Sequence, residues 1–312
     1  PMKSVRQINK WLKMLLGQSV LHVNQAEGKA YSRDAVRGYY NDFSQKVTNP
    51  AVLLDETGLV YNLTNEGKRI YFSIAIFQFG LGAYDLYLTS GQDQYRRQFL
   101  RCVDWAMQCQ QPNGAWDTFS AVGKANPYSA MAQGEGGSLL VRAYVASGED
   151  RYLQAAKLAI DFMCLSVEAG GCSEYIGDQV RFKEYFDEPV VLNGWIFSIW
   201  GVYDYFKVSS ESTYGQVLSQ AIRTLTMELG GFDHCYWSKY DLGGKLASPF
   251  YHRLHIAQLR VLHDLFGEPV FLHYADRWEG FSRNRWHLFR AFLVKSYQKL
   301  AEKRQGKTVI VG

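Results

Sequence analysis

Three segments of this 312-residue chain place side chains that can move protons or bind sugars next to predicted turns. The first runs from Asn126 to Gly137 and carries Tyr128, Gln133 and three glycines in the opening turns of a predicted helix. Glycine costs a helix about 1 kcal/mol relative to alanine, so the pattern indicates either a tight helix contact or a surface that faces a ligand. It is not a phosphate loop, because the Gly-Lys-Ser/Thr ending is missing.

The second segment runs from Phe182 to Pro189 and contains Glu184 and Tyr185. A proline ends the preceding element, and Asn193 is a predicted helix N-cap, so both side chains are expected at the mouth of a cleft. A carboxyl group and a phenol in a cleft can act as acid and base. Taken alone, Glu184 is more typical of a solvated loop carboxylate.

The third group contains two tyrosines, Tyr240 and Tyr251, and two histidines, His252 and His255. Histidines three residues apart at a helix start can hold a metal ion, but the His-Glu-x-x-His pattern is missing, and we predict no metal site. Tyr240 and Tyr251, taken alone, are typical of buried tyrosines with a satisfied hydroxyl.

Long stretches with helical apolar periodicity separate these segments, each roughly 15 to 20 residues and bounded by Gly, Pro, Asn or Asp. Short turns such as Ser147–Asp150 alternate with longer loops such as Gln111–Pro127, which is typical of helices arranged in antiparallel pairs. Four pairs predict a mainly α fold, an incomplete (α/α) barrel. The predicted helices are Tyr71–Tyr87, Asp93–Gln110, Ser129–Ser147, Arg151–Val167, Asn193–Lys207, Ser212–Leu229, His252–Phe266 and Pro269–Leu300.

Two stretches depart from helical periodicity. Gln179–Lys183 alternates polar and apolar residues, and Phe232–Tyr240 is rich in aromatics, so both predict short strands or hairpins at the barrel mouth. Residues 1–60 predict an irregular N-terminal arm with a short amphipathic run at Trp11–Leu16, and residues 61–312 form the predicted barrel domain. A superhelical repeat array is disfavoured, because no motif recurs at a fixed period.

Composition excludes several classes of protein. A chain that is 47% hydrophobic and 15% aromatic is neither disordered nor fibrous, and a net charge of +4 is too small for a nucleic-acid-binding protein. Five cysteines without a close pair predict reduced, mostly buried thiols. No apolar stretch reaches the roughly 18 residues of a membrane span, so we expect a cytoplasmic protein from which a targeting segment could have been trimmed.

An aromatic, mildly basic barrel mouth with carboxylates is typical of carbohydrate-active proteins, and it leaves the reaction open. Gly-x-Ser-x-Gly and strand-linked Gly-x-Gly-x-x-Gly motifs are missing, which disfavours α/β-hydrolase and dinucleotide-binding folds.

From about Tyr71 to Trp278 the sequence resembles the C-terminal domain of the D-glucuronyl C5-epimerases, which convert glucuronate to iduronate within heparosan and heparan chains. The resemblance lies in the following blocks: Tyr71–Leu81, Tyr128–Gly134, Leu140–Tyr144, Val191–Gly194, Gly201–Asp204, Tyr251–His252 and His255–Leu259. It implies an isomerase that needs no cofactor, acts on an acidic, heparosan-like polysaccharide and forms a homodimer.

The resemblance also implies site residues. The family's catalytic residues are a Glu before Tyr, a Tyr before Asp-Leu and a Tyr before His. The residues of this chain that match them are Glu184, Tyr240 and Tyr251. The expected substrate-binding residues are Tyr185, Asn193, Gln133, Tyr128, His252 and Arg253.

Inversion at C5 requires acid and base groups on both faces of the sugar ring, with donors set around the substrate carboxylate. We expect Asn193 and Arg253 to be those donors. A free tyrosine has a pKa near 10, so a tyrosine base must have its pKa lowered. Lys239, Arg253 and His252 are candidates for that effect by proximity in sequence.

One departure concerns substrate specificity: Ser248-Pro249-Phe250 stands where the animal enzymes have Arg-Trp-Asp. Three alternatives stay open from sequence. They are a uronate lyase, a glycoside hydrolase that pairs Glu184 with a second carboxylate at Asp187, Glu188 or Asp241, and a non-catalytic glycan-binding protein.

Overall fold

The computed structural model describes residues 25–64, 66–303 and 310–311. The predicted amphipathic run Trp11–Leu16 lies outside these residues. The described part begins with irregular chain, then helix α1 (Ser44–Thr48) and strands β1 (Asn62–Thr64) and β2 (Arg69–Ile70). Strand β1 pairs antiparallel with β2 and with residues Ile310–Val311 near the C-terminus.

Eight helices follow as four antiparallel pairs. They are α2 (Ser73–Ser90) with α3 (Asp93–Cys109), α4 (Ala130–Ser147) with α5 (Asp150–Cys164), α6 (Leu192–Ser209) with α7 (Ser212–Glu228), and α8 (Pro249–Phe266) with α9 (Pro269–Arg283). The first helices of the pairs contact one another in the order α2, α4, α6, α8 and form an inner layer. The incomplete (α/α) barrel is therefore confirmed.

Inner and outer helices differ in sequence because they differ in burial. Helix α6 is buried around its whole circumference from Leu192 to Tyr205, whereas the outer helices bury one face. Helices α4 and α6 meet at glycines, since a Cβ on Gly134 would lie 2.7 Å from the carbonyl oxygen of Phe197, and one on Gly201 would lie 2.5 Å from Gly134. The glycines at the start of α4 thus serve a tight helix contact.

The turns within pairs use left-handed caps. Gly148 after α4 and Gly267 after α8 have φ of 74° and 75°, which an L side chain rarely adopts. Each cap N–H donates to the carbonyl four residues back, which satisfies a helix C-terminus. The predicted short turn at Ser147–Asp150 is confirmed.

The two predicted β regions have different outcomes. Strands β3 (Ser173–Ile176) and β4 (Gln179–Phe182) form an antiparallel hairpin, which confirms the first. The second, predicted as short strands or hairpins over 232–240, is confirmed only in part: the chain turns back through single antiparallel bridges, Asp233–Ser238 and Lys239–Leu246, after a 3-10 helix at Leu229–Phe232. Cys235, with φ of 62°, turns the chain before a ladder can extend.

The last predicted helix, Pro269–Leu300, is in fact two helices. Asn284 is extended between α9 and α10 (Arg285–Lys303), and its Oδ1 accepts the backbone N–H of Trp286 at 3.0 Å. An asparagine side chain that bonds nearby backbone competes with helix continuation. The thiol prediction is half right: all five cysteines are free, but Cys109 and Cys235 are exposed.

The described part of the N-terminal arm is irregular apart from α1, and it lies within the barrel core. Tyr39, Tyr40 and Phe43 are almost fully buried among the core residues. The Tyr40 hydroxyl donates to Asp204 at 2.6 Å, and Arg142 forms a fully buried salt bridge with the same carboxylate. This arm therefore completes the barrel interior on the side of α2, α4 and α6.

Candidate active site

A cavity of about 410 Å³ opens at the end of the barrel where α4, α6 and α8 begin. Helix α1, the start of α2 and the loops that carry Lys124 and Glu184 also line it. Its polar lining consists of Gln25, Lys46, Gln78, Lys124, Glu184, Tyr185, Asn193 and Tyr251. Helix N-termini carry a partial positive charge, so three inner helices bias this end towards anions.

Glu184 reaches the cavity from the loop after β4. The carbonyl of Lys183 accepts the N–H of Ala130 at 3.0 Å, which fixes this loop to the start of α4. The Glu184 carboxylate lies against Gly194, where a Cβ would approach Oε2 to 2.4 Å. Only glycine therefore leaves room for the carboxylate in the first turn of α6.

The environment of Glu184 favours a carboxyl group that gains and loses a proton near neutral pH. Its side chain is 5% exposed, and Oε2 has no hydrogen-bond partner among the described residues. Burial raises the pKa of Glu184 to about 7, and the Tyr185 hydroxyl beside it opposes that rise. A general base is most effective with a pKa close to the working pH.

Three tyrosine side chains form a series of contacts that begins at Glu184. The side chain of Tyr185 interacts with Glu184, Tyr240 interacts with Tyr185, and Tyr251 interacts with Tyr240. The rings of Tyr240 and Tyr251 lie edge to face at 4.9 Å between centroids. Tyr185 and Tyr251 line the cavity, and Tyr240 lies behind them.

The predicted lowering of tyrosine pKa values is wrong. Burial, followed by the Glu184 charge, raises the pKa of Tyr185, Tyr240 and Tyr251. Lys239 donates instead to the carbonyl of Gly231. These phenols are therefore protonated at neutral pH and suited to donate protons.

Backbone bonds hold the tyrosines in place. The N–H of Leu192 donates to the carbonyl of Tyr240 at 3.1 Å, so the Tyr240 loop is fixed to the start of α6. Tyr251 lies in the first turn of α8, where Ser248 is the N-cap and Pro249 the first helical residue. The departure at 248–250 thus forms a regular helix start, and Phe250 lines the cavity.

Asn193 lies in the cavity wall, as expected, but is not the N-cap of α6. The cap position is Val191, and Asn193 is the second helical residue. Its Nδ2 is 3.9 Å from the sulfur of Met131, and its Oδ1 has no partner among the described residues. This buried amide is available to a ligand.

Four residues of the expected binding set lie away from the cavity lining. Gln133 bonds backbone groups of Gly114, Trp116 and Ala159, and therefore fixes a loop. The Tyr128 hydroxyl donates to Gln111 at 3.0 Å. The remaining two are His252, which is buried, and Arg253, which is exposed.

The histidines of α8 face α9. Ser238 Oγ lies 2.8 Å from Nδ1 of His252 and 3.1 Å from Nδ1 of His255, and the His252 ring stacks on Trp237 at 3.7 Å. Burial lowers the pKa of His252 to about 3, so its ring is neutral, with Nε2 donating to the Trp278 carbonyl at 3.0 Å. These rings join loop 233–247 to the barrel.

Sequence reasoning missed a second polar group at this cavity. Lys46 of α1 and Gln78 of α2 line it, and Glu135 of α4 lies behind them. Glu135 is two residues beyond Gln133 in a motif that the sequence singled out, and its carboxyl in a glycine-rich helix was the available signal. Nothing in the sequence around Lys46 marks it.

Within the described residues, no cluster of three or more His, Cys, Asp or Glu side chains has a geometry that can hold a metal ion. Nor does any described helix combine the length and apolar character that crossing a membrane requires.

Comparison with known proteins finds similar sequences and similar solved structures. The chain is 27% identical over 225 residues to D-glucuronyl C5-epimerase of Caenorhabditis elegans, across 62% of this chain and 36% of that protein. It is 30% identical over 145 residues to an uncharacterised protein of Methanocaldococcus jannaschii, across 45% and 47% of the two chains. The chain therefore spans less than half the length of either relative.

Among solved structures, the chain is similar to cellobiose 2-epimerase from Bacillus thermoamylovorans, with a TM-score of 0.55 and 11% identity over 82% of this chain and 76% of that one. This likeness shows the fold. Residues 110–280, more than half of the chain, match the family described as D-glucuronyl C5-epimerase C-terminus, and the chain belongs to that family.

Proposed function

We propose that the protein is a carbohydrate epimerase that inverts C5 of D-glucuronate residues in a heparosan-like polysaccharide to give L-iduronate. One observation carries the proposal. The buried carboxyl of Glu184, with a pKa of about 7, shares a cavity with the hydroxyl of Tyr251, which is protonated at neutral pH. A base and an acid on different elements are what inversion through proton removal and return requires.

In the proposed reaction, the Glu184 carboxylate takes the C5 proton, and the electron pair of the C–H bond moves into the adjacent carboxylate to form an enolate. The O–H of Tyr251 then protonates C5 on the opposite face. This leaves a neutral Glu184 and a tyrosinate. Tyr240 and Tyr185 connect these two groups, so a proton can return through them and restore the starting state.

The donor that we assign to the substrate carboxylate is Nδ2 of Asn193, whose contact in the structure is with the Met131 sulfur at 3.9 Å, in a field made favourable to anions by the helix N-termini. Preset donors are usually the largest contribution to stabilising a developing oxyanion. Arg253, the other donor expected from sequence, is exposed and outside the lining, so we do not give it this role.

The hydrolase alternative lacks its second carboxylate. Among the described lining residues, Glu184 is the only carboxylate. Glu188 forms a salt bridge with Lys124 at 2.6 Å, and Asp241 accepts the N–H of Lys245. Inverting and retaining hydrolases both need two carboxyl groups across the scissile bond.

The test is incubation with heparosan and with N-sulfated heparosan in deuterium oxide, followed by NMR of the C5 position. Deuterium at C5, new iduronate signals and unchanged chain length are expected. Chain shortening with ultraviolet-absorbing unsaturated ends would identify a lyase instead. Binding without exchange on either polymer would identify a glycan-binding protein.

Two further proposals rest on the resemblance. A homodimer is expected, and sedimentation at several protein concentrations tests it, with a monomer at all concentrations contradicting it. A cytoplasmic location is expected, and fractionation of the source cells tests it.

A further inference from the structure

The end of the cavity formed by α1 and α2 holds an ammonium group that the proposed chemistry has not used. Lys46 lies on α1, is 9% exposed and contributes to the cavity lining. Gln78, on α2, lines the same wall and donates from Nε2 to Oε1 of Glu135 at 2.8 Å. Glu135 is fully buried, and its Oε2 has no hydrogen-bond partner among the described residues.

A uronate that enters this cavity brings a carboxylate close to Glu184. Two buried carboxylates repel each other, and an uncompensated buried charge is strongly unfavourable, so a cation must lie within reach. The cavity already contains such repulsion, since Glu184 helps to raise the pKa of Glu135. Recognition of an acidic sugar therefore depends on where the positive charge lies.

Two cations line the cavity within the described part of the chain, Lys46 and Lys124. Lys124 is 28% exposed, forms a salt bridge with Glu188 at 2.6 Å, and lies 4.2 Å from the ring centre of Tyr185. Lys124 therefore lies at the rim of the cavity. Lys46 lies deeper, and Glu135 is its electrostatic neighbour.

We propose that Lys46 binds the carboxylate of the uronate and selects acidic over neutral sugar residues, with Gln78 donating beside it and Glu135 positioning the ammonium. This inference rests on the proposed function, because it names the group that recognises the substrate in the same cavity. As C5 loses its proton, negative charge accumulates on that carboxylate, so the ammonium stabilises the enolate more than the bound substrate.

The ionisation of Lys46 gives this recognition a pH dependence. Burial lowers the pKa of Lys46 to about 8, and the charge of Glu135 opposes that shift. The two acids that face this end, Glu135 and Glu184, have raised pKa values, chiefly through burial. The ammonium form binds the anion, so affinity for the acid falls as the pH rises above about 8.

The experiment compares binding of a heparosan hexasaccharide with binding of the same hexasaccharide after its carboxyl groups are reduced to hydroxymethyl. Calorimetry gives the ratio of the two affinities for wild type and for Lys46→Met. We expect the wild type to prefer the acid by at least tenfold and Lys46→Met to lose that preference, with binding of the neutral oligosaccharide unchanged.

Lys207→Met is the matched control, because it removes one positive charge at the last turn of α6, about 20 Å along the helix from Asn193. It should keep the wild-type ratio. Lys124→Met tests the other lining cation, and the proposal is overturned if this variant loses the preference while Lys46→Met retains it.

Because Lys46 is buried, its replacement by Met can disturb folding. A second test therefore uses the wild-type protein alone. The preference for the acid should fall as the pH rises through the pKa of Lys46, which burial lowers to about 8, and a ratio that stays flat from pH 7 to about 11 overturns the proposal. Deuterium exchange at C5 tests the epimerase proposal separately from the proposal about Lys46. Wild type that exchanges deuterium without a Lys46-dependent preference refutes only the inference, and a Lys46-dependent preference without exchange refutes only the epimerase.

Discussion

Two clusters of titratable side chains lie on different faces of α8, one around Tyr251 and the other around His252. Tyr251 faces the cavity and Glu184, whereas His252 faces α9 and stacks on Trp237. In the His252 cluster, both ring nitrogens of His252 have protein partners. In the Glu184 cluster, Oε2 of Glu184 and Oδ1 of Asn193 are buried without a hydrogen-bond partner in the described part of the chain, and both residues line a cavity.

The difference shows how to separate functional from structural titratable groups. A side chain whose hydrogen-bonding capacity is met by the protein stabilises the fold, and its ionisation is suppressed by burial. A buried polar atom without a protein partner is unfavourable unless a ligand satisfies it. Glu184 and Asn193 meet this criterion and line the cavity, so they belong to the candidate site, whereas Gln133 and His252 belong to the framework. His255 Nε2 also lacks a partner among the described residues but lies away from the cavity lining, so an unpartnered atom marks the site only where a cavity adjoins it.

The largest effect is expected from Glu184→Gln. The amide keeps the size of the side chain and cannot accept the C5 proton as a base, so C5 exchange should fall by roughly 10³-fold or more. Binding of the polysaccharide should persist, because the cavity is unchanged. Deuterium exchange at C5 measures the first and calorimetry the second. Exchange within tenfold of wild type would remove Glu184 from the mechanism.

The next effect is expected from Tyr251→Phe. The variant keeps the ring contact with Tyr240 and loses the proton donor, so turnover should fall by roughly 10²-fold or more with little change in melting temperature. Tyr128→Phe is a matched control, because Tyr128 bonds Gln111 outside the cavity lining. Its turnover should stay within threefold of wild type. Equal losses in both variants would contradict the division between cavity and framework.

A third prediction concerns pH, with opposite signs for rate and stability. Because the ionised Glu184 is the base, kcat/KM should rise about tenfold per pH unit up to a pH of about 7 and then level off. Burial raises the pKa of this carboxyl from 4.5, so the folded state binds its proton more tightly than the unfolded state. Its contribution to stability is present below pH 4.5 and is lost as the pH rises to 7.

Denaturation of wild type and of Glu184→Gln at several pH values measures how the contribution of Glu184 to stability changes with pH. The free energy of unfolding of wild type relative to the variant should fall by about 2–3 kcal/mol between pH 4.5 and 7.5. A constant difference would show that the Glu184 pKa is close to its usual value.

Much of the fold could be predicted because helix periodicity and turn residues act locally. The paired helices and the hairpin before Glu184 follow from patterns within about twenty residues of each other. The break at Asn284 and the irregular loop 232–240 were missed, since one capping side chain and one left-handed residue outweigh apolar periodicity there.

The site was only partly predictable from sequence. Glu184, Tyr185, Asn193 and Tyr251 do meet at one cavity, as the family motifs implied. Sequence proximity failed for Arg253, because neighbours on a helix point in different directions. Lys46 was missed because its place in the cavity depends on packing of α1 against α2.

The smallest effect on turnover is expected from His252→Ala. This variant should instead lower the free energy of unfolding. The variant loses the stack on Trp237 and the bonds to Ser238 and Trp278, so unfolding should become easier by roughly 2–4 kcal/mol at pH 7.5. Turnover per folded molecule should stay within about threefold of wild type, because the ring faces away from the cavity. His263→Ala, near the C-terminal end of the same helix, is the control: this half-buried ring has one bond among the described residues, to the Glu268 carbonyl, and its loss should cost under about 1 kcal/mol.

The pH dependence of this loss distinguishes the His252 cluster from the Glu184 cluster. Burial lowers the pKa of His252 from 6.5 to about 3, so the unfolded chain binds its proton more tightly. Its contribution to stability is complete above pH 6.5 and is lost as the pH falls towards 3. On acidification, the free energy of unfolding of wild type should therefore approach that of His252→Ala. Over the same change in pH, it should increase relative to that of Glu184→Gln. Curves that move in the same direction would show that the two faces of α8 do not differ in this way.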